Sequence, residues 1–236
     1  MTNRSAIVTI ALFAILLPAR GVAQQVAFAA TALSELDSAT QAAVVRELGR
    51  ARTRGLPVQP LVAKVREGQI KRAAPERIRL AVAALAARLD TARSALGTAS
   101  NAGELVAGAD ALSAGADQSA LRAVRAAGGT RDLSAPLGAL AQLVASGVPV
   151  RRATSMIIEL LRRDAGPNAM LAFGVAVEAD VGAGVPAEES ALFRLRAMES
   201  QGISGDRVTV TAPGGDPLTS VPSPAGGPTS RPKRRP

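Results

Sequence analysis

The sequence predicts an all-α protein, an irregular array of short helices stacked as αα-hairpins, with a disordered C-terminal tail. Apolar residues recur at helical spacing between positions 31 and 201. No segment from 24 to 201 sustains the apolar and polar alternation of a half-buried strand. Gly or Pro marks nearly every boundary between the predicted helices. With no Trp or Tyr and only four Phe, the core must be packed from aliphatic residues and Ala.

The N-terminal 23 residues have the three-part pattern of a secretory signal peptide. Arg4 supplies the positive charge, residues 6–17 form an apolar run, and small residues precede a predicted cleavage between Ala23 and Gln24. A retained membrane anchor is the alternative, but a spanning helix needs about 20 apolar residues and this run is shorter. We expect export to the periplasm or the exterior, with no transmembrane segment in the mature chain.

The first three helices are predicted from caps and breaks. Asp37 can cap a helix that runs to about Arg54, and Gly55 stops it. A second helix follows, and Pro75 suits the first position of a third, where its missing N–H costs nothing. The third helix carries the clearest apolar stripe, at Ile78, Val82, Leu85, Leu89 and Leu96.

Six more helices are predicted after the third, and a recurring triplet joins several of them. In this triplet Gly adopts the left-handed backbone conformation that ends a helix, an apolar residue packs between the two helices, and Pro or Asp starts the next helix. The later helices are predicted near residues 101–114, 117–127, 133–146, 149–164, 167–182 and 186–200. The triplets are Gly55-Leu56-Pro57, Gly147-Val148-Pro149, Gly184-Val185-Pro186 and, more loosely, Gly115-Ala116-Asp117. Their uneven spacing argues against a solenoid of one fixed period.

A further pattern runs from the end of the first predicted helix into the third. Its residues are Gly55-Leu56-Pro57, Pro60-Leu61, Lys64, Glu67-Gly68, Lys71, Pro75 and Ile78. With these residues the chain resembles a group of uncharacterised exported bacterial proteins that are all-helical. The resemblance covers roughly residues 34–200 and implies a helical fold and export, with no activity attached.

Composition excludes several classes of chemistry. The chain has no Cys and no His, so it has no disulfides, no thiolate metal site and no Ser-His or Cys-His catalytic arrangement. The only Lys residues in the predicted folded part are Lys64 and Lys71, and neither follows a Ser at catalytic spacing. We therefore expect no cofactor, no metal and no catalysis.

Paired carboxylates are the remaining catalytic candidates, since two acidic residues can cleave a glycosidic bond. The pairs are Glu178 with Asp180, and Glu188 with Glu189. Neighbours one or two apart on a helix point in different directions, so a carboxylate-dependent hydrolase is a remote alternative.

Residues 202–236 differ in composition from the helical domain predicted at 24–201. Seven of the 15 Pro lie between Pro213 and Pro236, so the segment cannot bury a core and is predicted to be disordered. It ends in a basic cluster made of Arg231, Lys233, Arg234 and Arg235. This cluster is either a solvated end or a contact for an anionic envelope surface. No nucleic-acid partner is expected for an exported protein.

The sequence thus predicts an exported helical interaction or scaffold module without catalysis, whose protein partner is unknown. The alternative is an electrostatic binder of anionic envelope surfaces that acts through the basic tail. The chain carries a formal net charge of +9. Since 25 of its 28 basic residues are Arg, the composition of a GC-rich genome explains this excess better than selection for an anionic partner does.

Overall fold

The computed structural model describes residues 36–200, which form nine α-helices and no strand. The all-α prediction is confirmed for this range. The predicted cleavage between Ala23 and Gln24 and the predicted basic tail lie outside the described residues. The helices are α1 (Ser38–Thr53), α2 (Gln59–Ile70), α3 (Pro75–Leu96), α4 (Ala102–Ala114), α5 (Gln118–Gly128), α6 (Ser134–Ala145), α7 (Val150–Arg162), α8 (Pro167–Gly182) and α9 (Ala187–Ser200).

The helices are arranged in two layers. The odd-numbered helices α1, α3, α5 and α7 pack each on the next odd one, and the even-numbered helices α4, α6 and α8 do the same. Neighbours in sequence pack across the layers, as in α2 with α3, α3 with α4, α6 with α7 and α8 with α9. This is the stacking of αα-hairpins that the sequence predicts.

The predicted Gly-apolar-Pro joint is confirmed at the end of α6. Gly147 has φ +97°, and the N–H of Val148 donates to the carbonyl of Leu143 at 3.0 Å, which closes the helix as a left-handed cap requires. Val148 is only 2% exposed. The joint before α9 has the same backbone, but its Val185 is 37% exposed, contrary to expectation. Within the described range α9 is the last helix, and no further hairpin covers this joint.

Two further joints of the same kind lack Gly. Arg72 and Asp164 take φ +50° and +56° at the ends of α2 and α7. In each case the next residue donates its N–H back into the helix, Ala73 to Gly68 at 2.8 Å and Ala165 to Leu160 at 3.0 Å. A non-Gly residue in this conformation carries a strain of order 1–3 kcal/mol, which the surrounding packing must outweigh.

The core lies between the layers and consists mainly of leucine, alanine and valine side chains. Ile78, Val82 and Leu89 of the predicted α3 stripe are buried, whereas Leu85 is only half-buried at its edge. Small residues let the helices approach closely: a Cβ at Gly108 of α4 would lie 3.1–3.3 Å from side chains of α3 and α5. Such packing holds even helices of modest length in fixed positions.

Candidate interaction groove

The two layers differ in charge. Among the described helices, every odd-numbered one carries at least two Arg, while α4, α6 and α8 contain no Lys or Arg. Helix α6 has no charged residue at all. Of the acidic residues in α4 and α8, Glu104 and Asp180 are buried, whereas Asp110 and Glu178 are exposed. The surface formed by α4, α6 and α8, here called the even face, is therefore apolar and carries only negative charge.

A groove opens at one end of the even face because α2 stands apart from α4. Helix α4 packs closely on α6, and α6 on α8, but α2 does not pack closely on α4. The space between them is a groove of about 910 Å³. Of the described residues that line it, Asp110 alone is ionisable. The apolar lining includes Pro57, Val58, Pro60, Val106, Ala107, Ala141 and Ala145.

Asp110 lies where this groove meets a smaller cleft between α2, α3 and α4. The charge of Lys64 acts on Asp110, but the Lys64 Nζ contacts Glu67 Oε2 at 2.5 Å, and Lys71 contacts the same carboxylate at 2.6 Å. These two hydrogen bonds, that of Lys64 first, lower the pKa of Glu67 to about 2. Lys64 and Lys71 are thus already engaged by Glu67, and Arg88 is the other basic residue that lines the smaller cleft.

The Asp110 carboxylate has no such partner within residues 36–200, where none of the hydrogen bonds or ion pairs involves it. The residue is exposed at the mouth of the groove, yet the groove walls remove enough water to raise the pKa of its carboxyl. The charge of Lys64 opposes this rise. The groove therefore presents a partly desolvated carboxylate that the described residues do not neutralise.

The apolar surface continues from the groove across α6 to α8. Leu171 and Val175, one turn apart on α8, are 42% and 55% exposed. Gly138 of α6 lies between them and the groove, and Leu171 Cδ2 is 3.6 Å from the position of a Cβ at this Gly. Because Gly138 has no side chain, Leu171 of α8 lies close to α6 at this point.

Three of the four acidic residues considered from the sequence have separate partners in the structure. Asp180 is buried and accepts hydrogen bonds from Arg194, above all, and from Ser190, which lower the pKa of its carboxyl. Glu178 is exposed and accepts from Gln142 Nε2 at 3.0 Å. Glu188, in the second pair, faces Arg152 of α7 at 3.1 Å. The structure brings neither pair together around one space.

Sequence reasoning missed Glu104, which is 3% exposed. Its Oε1 accepts from Arg125 Nη2 at 2.6 Å and from the N–H of Leu133 at 3.0 Å, and its Oε2 accepts from the N–H of Asn101 at 2.9 Å. One carboxylate therefore joins α4, α5 and the start of α6. The spacing Asn101-x-x-Glu104 is a capping-box signal that predicts the helix start but not the burial.

No protein family, curated protein or solved structure matches this chain. Among residues 36–200, no helix is long and apolar enough to cross a membrane, and no group of three or more acidic side chains is placed to hold a metal ion. The predicted surface contacts at Arg231, Lys233, Arg234 and Arg235 lie outside this range. Within residues 36–200, the groove and the even face are therefore the candidate functional site.

Proposed function

We propose that the protein is an exported interaction module without catalytic activity, and that its groove binds an extended, apolar protein segment carrying a basic side chain. The observation that supports this proposal is the unneutralised Asp110 carboxylate in an otherwise apolar groove between α2 and α4. Shape, polarity and charge each contribute to the choice of partner.

The shape favours a chain segment over a small molecule. The groove volume of about 910 Å³ is at the upper end of the usual range for small-ligand sites. A mostly apolar lining with a few polar side chains, here Asp110, Gln59, Ser113 and Gln142, occurs in small-ligand sites as well, so the lining alone does not decide between the two. The apolar surface also extends beyond the groove to Leu171 and Val175, as an elongated partner requires.

The charge favours a basic side chain on that partner. A carboxylate that has lost part of its hydration gains more from an opposite charge than a fully solvated one does. Since α4, α6 and α8 contain no Lys or Arg, no basic residue of these helices competes for Asp110. An acidic partner would instead meet both Asp110 and Glu178 and would be repelled.

The test is binding of short fluorescent peptides, rich in Pro, Ala and Val, to the full mature chain. One peptide carries a central Arg, and its two analogues carry Gln or Glu at that position. The Arg peptide should bind roughly tenfold more tightly than the Gln peptide, which corresponds to about 1.4 kcal/mol for one partly desolvated ion pair. The Glu peptide should bind more weakly than either.

Asp110→Asn should abolish the preference for Arg. Its matched control is Asp90→Asn, because Asp90 is a half-exposed carboxylate between α1 and α3 that already pairs with Arg54. The control should retain the preference. Equal binding of the three peptides, or an Arg preference that survives Asp110→Asn, would overturn the proposed role of the groove.

A further inference from the structure

We infer that the groove is occupied by the protein's own C-terminal segment, residues 213–236, which an external partner must displace. This inference rests on the proposed function and names the first ligand of the same site. Four properties support it: the charge of the two layers, the chemistry of the segment, its reach and its covalent tether.

The charge of the two layers selects the even face for a basic segment. Residues 213–236 contain four basic residues and a single acidic one, Asp216. Exposed Arg residues on α1, α5 and α7 would repel such a segment from the odd-numbered layer. The even face carries only Asp110 and Glu178 as exposed charges, and Glu178 is already bonded to Gln142. Asp110 is therefore the complementary site for a basic side chain.

The chemistry of the segment suits a groove made of helices. Helices satisfy their own backbone hydrogen bonds, so the groove walls offer no strand edge along which another backbone can pair. A Pro-rich segment has fewer N–H donors to satisfy and binds through side-chain packing. Its seven Pro, together with Ala225, Leu218 and Val221, provide small apolar surfaces that match the Ala, Val and Pro of the groove. Pro also restricts the free chain, which reduces the entropy lost on binding.

The length of the segment is sufficient to reach the groove. After Ser200, the end of α9, 36 residues follow to Pro236. An extended chain spans up to about 3.3 Å per residue, so this stretch reaches roughly 100 Å. A compact domain the size of residues 36–200 has a radius of gyration of about 15 Å. Any surface of the helical domain is therefore within reach.

Because the segment is covalently attached to the helical domain, weak intrinsic binding is sufficient for it to occupy the groove. A flexible link of moderate length gives an effective concentration of the order of 1 mM. A segment whose intrinsic dissociation constant is about 0.1 mM would then occupy the groove most of the time and weaken an external peptide roughly tenfold by competition. Replacement of Arg231, Lys233, Arg234 and Arg235 by Ser should accordingly tighten binding of the external Arg peptide by about that factor.

A nitroxide label tests the contact directly, because the chain has no Cys and Ser230→Cys provides a unique attachment site. In the full mature chain at low salt, the label should broaden the methyl signals of Val58 and Val106 in the groove. The methyl signals of Leu80, exposed on α3 in the opposite layer, should stay sharp. Asp110→Asn and the Ser replacement of the basic cluster should each reduce the broadening, whereas Asp90→Asn should leave it unchanged.

Three results would overturn the inference. Sharp Val58 and Val106 signals would show that the segment does not bind the groove. Broadening in a mixture of labelled and isotope-enriched chains would show that the segment binds a second copy instead. Absent broadening, combined with co-sedimentation on phosphatidylglycerol vesicles that the Ser replacement abolishes, would assign the basic cluster to an anionic membrane surface.

Different results would refute the binding of the C-terminal segment and the proposed function of the groove. If the groove signals stay sharp while the Arg peptide still binds in an Asp110-dependent way, the groove has an external partner and no internal one. If the Arg peptide shows no Asp110-dependent binding even after the basic cluster is replaced, the proposed function itself is wrong.

Discussion

Asp180→Asn removes the charge that holds α9 onto α8. The Asp180 carboxylate accepts a hydrogen bond from Ser190 Oγ at 2.6 Å and two from Arg194, from Nε at 2.8 Å and from Nη2 at 2.7 Å. The side chains of Asp180 and Arg194 are only 9% and 14% exposed. Asn keeps the shape of Asp but removes the negative charge that faces the Arg194 guanidinium.

The loss should be about 3 kcal/mol. Breaking a buried ion pair by removing one partner costs about 3–5 kcal/mol, and Asn falls at the low end because its amide oxygen can still accept one hydrogen bond. For a domain of this size, each 1 kcal/mol lowers the melting temperature by about 2–4 °C, so we expect a decrease of roughly 6–12 °C. Since α9 packs mainly on α8, its amides should also lose protection from hydrogen exchange before those of the core helices do.

The effect should depend on pH. The hydrogen bonds from Arg194, above all, hold the pKa of Asp180 below its ordinary value of 3.8, so the folded state keeps this carboxylate charged at a lower pH than the unfolded chain does. The stabilisation is therefore complete above pH 3.8 and is lost as the pH falls through the lower, folded pKa. Melting temperatures of the wild type and of Asp180→Asn should differ at pH 7 and converge in strong acid.

Arg152→Ala is the matched control, because Arg152 and Glu188 also connect α9 to a neighbouring helix. Their side chains are 63% and 42% exposed, so this ion pair should contribute less than about 1 kcal/mol. If Asp180→Asn and Arg152→Ala melt alike, or if α9 keeps its exchange protection in Asp180→Asn, the buried pair is not what attaches α9.

Three other predictions follow from burial and from the N-terminal pattern. Leu89→Ala should lower the free energy of unfolding in urea by about 3–5 kcal/mol, because Leu89 is fully buried. Leu85→Ala should lower it clearly less, because Leu85 is only half-buried. Equal losses for the two variants would contradict the packing of α3. Glu104→Gln should lower the free energy of unfolding by about 1.5–3 kcal/mol, because it weakens three hydrogen bonds to one carboxylate. A thermal melt unchanged by this substitution would mean that apolar packing alone joins α4, α5 and α6. The intact mass of exported protein should correspond to a start at or within a few residues of Gln24, and a full-length, membrane-embedded product would refute the predicted cleavage.

Most helix boundaries were predictable because the signals for them are local. Asp37 caps α1 through its own Oδ1, which accepts from the N–H groups of Ala39 and Thr40. Pro75 and Pro167 begin α3 and α8, where the sequence places them. The joints at Arg72 and Asp164 escaped prediction because the same backbone is formed there without Gly, and tertiary packing stabilises it.

The candidate site was far less predictable. Asp110 is one acidic residue in an Ala-rich helix, and nothing near it in sequence distinguishes it from Asp90. Its significance depends on which helices share its layer, on the absence of Lys and Arg from those helices, and on the prior engagement of Lys64 by Glu67. Glu104 likewise becomes a buried joint only because Arg125 and Leu133 approach it from other helices.

The sequence by itself determined the helical class, the stacked hairpins and the positions of most joints, because helix period, caps and breaks act over a few residues. Only the tertiary structure decided that α2 stands apart from α4, that α4, α6 and α8 share a face without basic residues, and that Asp110 lacks an intramolecular partner within the described part of the chain. These features arise from contacts between residues distant in sequence, where desolvation and charge depend on every neighbouring helix at once.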